Sequence, residues 1–138
     1  MKKLFITCAL ALLPGLSLLS AQTRLIAHRG FWDREGSAQN SLASLVASHE
    51  VKAYGSELDV IISADGIPLV HHDDEVQGIR IEDASYEQIK DIQLKNGEVI
   101  PTFESYLQKF MTLSDMKLIV EIKPHKRIVN EDRAVNAV

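Results

Sequence analysis

Apolar and polar positions change period along the chain, and the changes mark its elements. Two apolar runs, Val60-Ile61-Ile62 and Ile67-Pro68-Leu69-Val70, flank Ser63-Ala64-Asp65-Gly66. Asp-Gly between such runs predicts a hairpin, because both central residues of a type I′ turn want positive φ. A link that short forbids a parallel crossover, so the two strands pair antiparallel. A two-residue turn sets Ala64 against Ile67 and Asp59 against His72. A three-residue loop sets Asp59 against His71 instead, so the histidine that faces Asp59 depends on register. Glu57 lies two residues from Asp59 and shares its face. One patch at the end of the hairpin away from the turn then holds two carboxylates and an imidazole.

The rest of the pattern alternates. Arg24–His28 reads as a short strand ending in His28-Arg29-Gly30, followed by a loop over residues 31–39. Asn40 is placed to cap a helix whose apolar positions are Leu42, Leu45 and Val46. Ser85-x-x-Gln88 reads as a capping box ahead of Ile89 and Ile92. Pro101-Thr102 opens a helix with Phe103, Leu107, Phe110 and Met111 on one side. The run from Lys117 to Pro124 is a strand on which Glu121 and Lys123 share a face. Asn130-Glu131-Asp132 predicts a helix start, with acids in the turn where the macrodipole favours them. Alternating strands and helices argue for an α/β sheet covered by helices. Polar residues recur at strand C-termini: His28-Arg29, Glu57/Asp59, His72 and Glu121/Lys123. In a β/α barrel that is the active-site end.

Residues 1–21 stand apart from this pattern. Lys2 and Lys3 precede an apolar run from Leu4 to Leu19, broken by Pro14-Gly15 and followed by Ser20-Ala21-Gln22. This is the form of a secretory signal peptide, with cleavage expected after Ala21. The Pro-Gly break argues against an uncleaved anchor. Residues 22–138 are then the domain, expected in the periplasm or outside the cell. The only cysteine, Cys8, lies in the leader, so disulfides and thiolate metal sites are excluded from the domain. Loss of Lys2 and Lys3 leaves 13 basic and 19 acidic residues, a net charge of −6. A net acidic domain without a Lys/Arg stripe is no nucleic-acid binder.

Glu57, Asp59 and Glu121 would make an all-oxygen site, which suits Ca²⁺ or Mg²⁺ better than zinc. His28 and His72 can act as general base and general acid near neutral pH. Arg29 and Lys123 can hold an anionic group. Together these groups suit attack on a phosphodiester, with charge on the phosphoryl oxygens stabilised and a histidine protonating the leaving alkoxide. Taken singly, each has an ordinary reading. Glu-x-Asp and Glu-x-Lys are common on solvated strands, and a histidine after a strand is usually a loop residue. Only the joint placement after four apolar strands raises the functional reading.

Ala27-His28-Arg29-Gly30, Glu57-x-Asp59, Asp65-Gly66 with Val70-His71-His72-Asp73, Ile100-Pro101-Thr102-Phe103-Glu104 and Val120-Glu121-Ile122-Lys123, in this order, resemble the glycerophosphodiester phosphodiesterase family. The resemblance runs from about Leu25 to Lys123. It implies a TIM barrel, a divalent metal on Glu57, Asp59 and Glu121, and His28 and His72 as the acid–base pair. It implies Arg29 and Lys123 at the phosphate, and a His-Asp pair at His72-Asp73. His71 stands where the family usually has an apolar residue. The implied substrates are deacylated phospholipids, hydrolysed to glycerol 3-phosphate and an alcohol.

Two departures qualify this. Where the family commonly reads Pro-Glu-Asn-Thr, the chain has Ala38-Gln39-Asn40-Ser41, an amide for an acid. A TIM barrel also takes about 250 residues, so the expectation is a chain truncated to roughly the first four strands. Its open edges would invite a homodimer or a complementing half-barrel. A non-catalytic remnant that binds metal or phosphate esters is the alternative. Another phospholipase-type barrel phosphodiesterase is the alternative enzyme.

Overall fold

The computed structural model describes residues 23–113 and 115–138; the expected leader lies outside them. In chain order the elements are β1 (Ile26–Ala27), α1 (Leu42–Glu50), β2 (Gly55–Ile62), β3 (Pro68–Val70), β4 (Glu75–Val76), β5 (Ile79–Arg80), a 3₁₀ turn (Ile81–Asp83), α2 (Tyr86–Ile89), α3 (Phe103–Phe110), β6 (Lys117–Ile122) and α4 (Ile128–Ala137).

β2 is the centre. It runs parallel to β1, with Ala27 opposite Ser56, and parallel to β6, with Gly55 opposite Lys117 through Val60 opposite Ile122. Gly55 and Ser56 pair with both neighbours, so β1 and β6 lie on opposite edges of β2. All eight residues of β2 are buried. Its two faces feed two cores. Leu58 and Val60 pack with Leu45, Val70, Phe103, Tyr106 and Met116 beneath α1 and α3. Ile61 packs with Leu69, Ile81, Ile89, Ile92 and Ile100. α1 and α3 have nine and eight residues. An isolated helix needs roughly 12–15 to persist, so this packing is what holds them.

Thr102 caps α3 as expected, its Oγ1 accepting the Ser105 N–H at 3.1 Å. Gln88 Oε1 accepts the Ser85 N–H at 2.9 Å, as a capping box requires. Phe103 and Tyr106 are core residues. The first strand is shorter than Arg24–His28.

Three expectations need correction. The helix cap is Ser41, not Asn40: Ser41 Oγ accepts the Ser44 N–H at 3.0 Å, while Asn40 sits at φ 61° and turns its side chain inward. α4 begins at Ile128, because Asn130 is buried and donates to Glu82 Oε2 at 2.9 Å instead of capping. The hairpin has the three-residue register, with Val60 opposite Val70 and Ile62 opposite Pro68. Ser63 causes it. Its N–H donates to the Ile67 carbonyl at 3.0 Å, its carbonyl accepts the Gly66 N–H at 3.0 Å, and its Oγ accepts the Ile67 N–H at 2.9 Å. Gly66 closes the loop at φ 90°.

Candidate active site

The parallel register builds the acidic cluster. Asp59 and Glu121 are direct partners across β2 and β6, and Glu57 lies two residues back on the same face as Asp59. One oxygen from each of the three carboxylates lies within 4.8 Å of the others. The sequence pattern places Glu57 and Asp59 at a strand C-terminus, but both lie inside β2. β2 continues three residues beyond Asp59, where β3 replaces β1 as its neighbour.

β1 delivers the next two groups. With Ala27 level with Ser56, His28 arrives beside Glu57, and its Nε2 lies 4.0 Å from Glu57 Oε2. The chain then turns through Arg29 at φ 57°. This brings the Arg29 N–H to Glu57 Oε2 at 2.7 Å and its Nε to 3.4 Å from Asp59 Oδ2. Such a backbone costs on the order of 1–3 kcal/mol and persists only where the surroundings hold it. Here the Asn40 N–H and the Ser44 hydroxyl both donate to the Arg29 carbonyl, at 3.0 and 3.1 Å. Gln39 Oε1 accepts from Arg29 Nη1 at 2.8 Å. An amide there holds the guanidinium without neutralising it. Lys123 completes the set, with Nζ 2.7 Å from Glu121 Oε1 and 3.3 Å from Asp59 Oδ1.

Sequence reasoning missed Asn40. Its Nδ2 donates to Asp59 Oδ2 at 2.9 Å and its Oδ1 accepts the Asp59 N–H at 3.2 Å. Helical spacing could not reveal this. The one local hint is that Asn tolerates the left-handed backbone found here better than most residues do.

Burial pushes the Glu57 carboxyl above its usual range; the Arg29 N–H opposes this, and the charge of Asp59 adds to it. Burial pulls Lys123 down, but its bond to Glu121 and the charge of Asp59 outweigh that, and it sits above its ordinary value. Among the described residues, buried Glu57 Oε1 and Asp59 Oδ1 accept no hydrogen bond. Unmet carboxylate oxygens are costly when buried. Three carboxylates that converge, with Glu57 Oε1 unmet and Asp59 Oδ1 facing only the Lys123 ammonium, fit a hard cation.

The two histidines of the hairpin divide. By register His71 follows Val70 opposite Asp59, and its N–H donates to the Asp59 carbonyl at 3.1 Å. That contact uses main chain only; the ring Nδ1 lies 3.0 Å from the Asp73 carbonyl oxygen. His72 Nδ1 pairs with Asp73 Oδ1 at 2.7 Å, which holds the Asp73 carboxyl below its usual range. The two-residue register, which sets Asp59 against His72, is therefore not the one adopted, yet the His72-Asp73 pair is present. His71 and His72 line one cavity of about 580 Å³ with Gln39, Asn40 and Asp73.

Two stability predictions arise here. Gly30 sits at φ 75°, and a Cβ there would lie 2.3 Å from Ser44 Oγ and 2.8 Å from the Ser44 carbonyl carbon. Gly30→Ala should destabilise the fold by about 1–3 kcal/mol, read as a lowered urea midpoint; an unchanged midpoint would refute it. Glu57 gives the second. A carboxyl raised above 4.5 favours folding at pH below that value, and the contribution is lost as pH rises through the folded value. In EDTA, Glu57→Gln should therefore raise Tm at neutral pH, and the gain should vanish on acidification. A gain that is constant with pH would contradict it.

A family model described as the glycerophosphoryl diester phosphodiesterase family matches residues 28–132. A glycerophosphodiester phosphodiesterase from Parabacteroides distasonis is 46% identical, with TM-score 0.77 over 83% of this chain and 47% of that one. A phosphodiesterase from Oleispira antarctica, solved with the product sn-glycerol-3-phosphate, is 30% identical, with TM-score 0.68 over 83% and 49%. Human glycerophosphodiester phosphodiesterase 1 is 28% identical over 85% of this chain and 39% of its own length. The chain thus spans about half the length of these solved structures, and its α/β layers form part of a TIM-barrel-like fold. It belongs to the glycerophosphoryl diester phosphodiesterase family.

Proposed function

We propose that the site serves hydrolysis of glycerophosphodiesters to glycerol 3-phosphate and an alcohol, on a divalent cation, Ca²⁺ or Mg²⁺, held by Glu57, Asp59 and Glu121. The observation that supports this best is the convergence of the three carboxylates with buried Glu57 Oε1 unmet. A cation there supplies charge stabilisation at the phosphoryl oxygens. Arg29 and Lys123 border the same cluster and receive the phosphate. Asn40 holds Asp59 still, so the cluster need not reorganise when substrate arrives.

Asp73 fixes His72 through Nδ1, which leaves Nε2 to exchange a proton with substrate or water. His28 serves as the second imidazole from beside Glu57. Water attacks phosphorus, and the bond from phosphorus to the alcohol oxygen breaks. One imidazole takes the proton from water and the other gives one to the departing alkoxide. We place this reaction outside the cytoplasm, on the strength of the leader-like residues 1–21. Hydrolysis of a glycerophosphodiester panel by the purified chain, with and without EDTA, tests the reading. Turnover that EDTA abolishes is expected. Metal binding without turnover would favour the non-catalytic alternative.

A further inference from the structure

We propose that His125 is a positioning residue: its ring pins the segment after β6 to the end of β2, and so holds the Lys123 ammonium over the acidic cluster. The inference rests on the function proposed above, which gives Lys123 the phosphate.

β6 ends at Ile122, and one residue later the Lys123 N–H still donates to the Val60 carbonyl of β2 at 2.9 Å. The next β2 residue that faces this edge is Ile62, and its N–H donates to His125 Nε2 at 3.0 Å. A side chain thus stands where a longer strand would offer a main-chain carbonyl. Because Nε2 accepts, the neutral ring carries its proton on Nδ1, which is buried too. The pin reaches Lys123 through a stiff link. Pro124 has a fixed φ and confines the residue before it to extended backbone. Farther along, the His125 N–H donates to Glu131 Oε1 at 3.0 Å, and Arg127 Nη2 donates to the Glu82 carbonyl at 2.8 Å. Those bonds tie the segment to α4 and to the 3₁₀ turn. The His125 ring ties it to the strand that carries Asp59.

Lys123 needs such a hold more than Glu121 does. Its ammonium lies 2.7 Å from Glu121 Oε1 and 3.3 Å from Asp59 Oδ1, but it sits on a flexible four-carbon stem. A fixed main chain at Lys123 narrows where that stem can go. Glu121 lies within β6, already paired with Asp59 across the ladder. The pin therefore serves the phosphate and not the cation.

Calorimetric titration with Mg²⁺, and with glycerol 3-phosphate in Mg²⁺, tests this. His125→Leu fills the space but cannot accept the Ile62 N–H. It should weaken glycerol 3-phosphate roughly tenfold, the scale of a partner that orients a site residue, while Mg²⁺ affinity does not fall. His125→Gln offers an amide oxygen to the same N–H and should restore the parent affinity. In a Lys123→Met background, His125→Leu should cost nothing further, since the two act through one group. A parallel fall in Mg²⁺ affinity, equal loss in His125→Gln, or additive losses would overturn the role. Amide hydrogen exchange reads the pin without ligand or turnover. His125→Leu should speed exchange at Ile62 and Lys123, and unchanged protection there refutes the pin. Protection lost as expected, in a parent that binds no glycerol 3-phosphate, refutes the proposed function and keeps the pin.

Discussion

Asp59→Asn is expected to remove divalent-cation binding and, with it, phosphodiester hydrolysis. Asp59 is fully buried and stands at the centre of the site. Its Oδ2 accepts from Asn40 and lies 3.4 Å from Arg29 Nε; its Oδ1 lies 3.3 Å from Lys123 Nζ and accepts no hydrogen bond. Loss of a group that merely supports a metal ligand typically costs about 10–100-fold in affinity. Loss of a ligand should cost more than about 100-fold. Calorimetric titration with Ca²⁺ and with Mg²⁺ measures this, and an isotherm unchanged from the parent would sink the metal assignment. Asp59→Asn also strips the partner from two partly buried cations, which on its own is destabilising by roughly 3–5 kcal/mol. Glu57→Gln separates the two effects. It should lose the cation as well, yet leave the metal-free fold at least as stable, because Glu57 is held above its usual carboxylate range by burial.

His72→Ala and His28→Ala should each lower kcat by roughly 10²–10⁴-fold, the scale of a positioned acid or base. His71→Leu should be mild. The register sets His71 against Asp59, but only the His71 N–H makes that contact, and leucine keeps it. The His71 ring is tied to the Asp73 carbonyl oxygen, while the His72 ring is tied to the Asp73 carboxylate. A carboxylate on Nδ1 fixes the tautomer and supports charge on the ring; a carbonyl does so less. Severe loss in His71→Leu with tolerance of His72→Ala would show that the neighbouring imidazole does the work.

Much of this protein is readable from residues in order. The hairpin follows from two β-branched runs around Asp65-Gly66, and α3 from Pro101-Thr102 with its apolar spacing. The strand that carries Glu121, with Lys123 just past its end, follows from the apolar run Leu118-Ile119-Val120 before it. These are local preferences, expressed over a few residues. Tertiary structure decided the rest. A single serine hydroxyl at Ser63 moved the hairpin register by one residue, because a side chain that bonds the Ile67 N–H lengthens the loop. Asn40 reads as a cap but serves Asp59, 19 residues away, since the left-handed turn before α1 points it inward. The N-terminus of α1 receives Glu98, whose two carboxylate oxygens accept the Leu42 and Ala43 N–H groups at 2.8 and 3.1 Å. No spacing in the sequence announces such a pair, because it joins segments more than 50 residues apart. Periodicity records which face a residue takes on its own element. Which residue meets it from another element is set by register and by the burial of unmet polar groups, and both exist only once the sheet has formed.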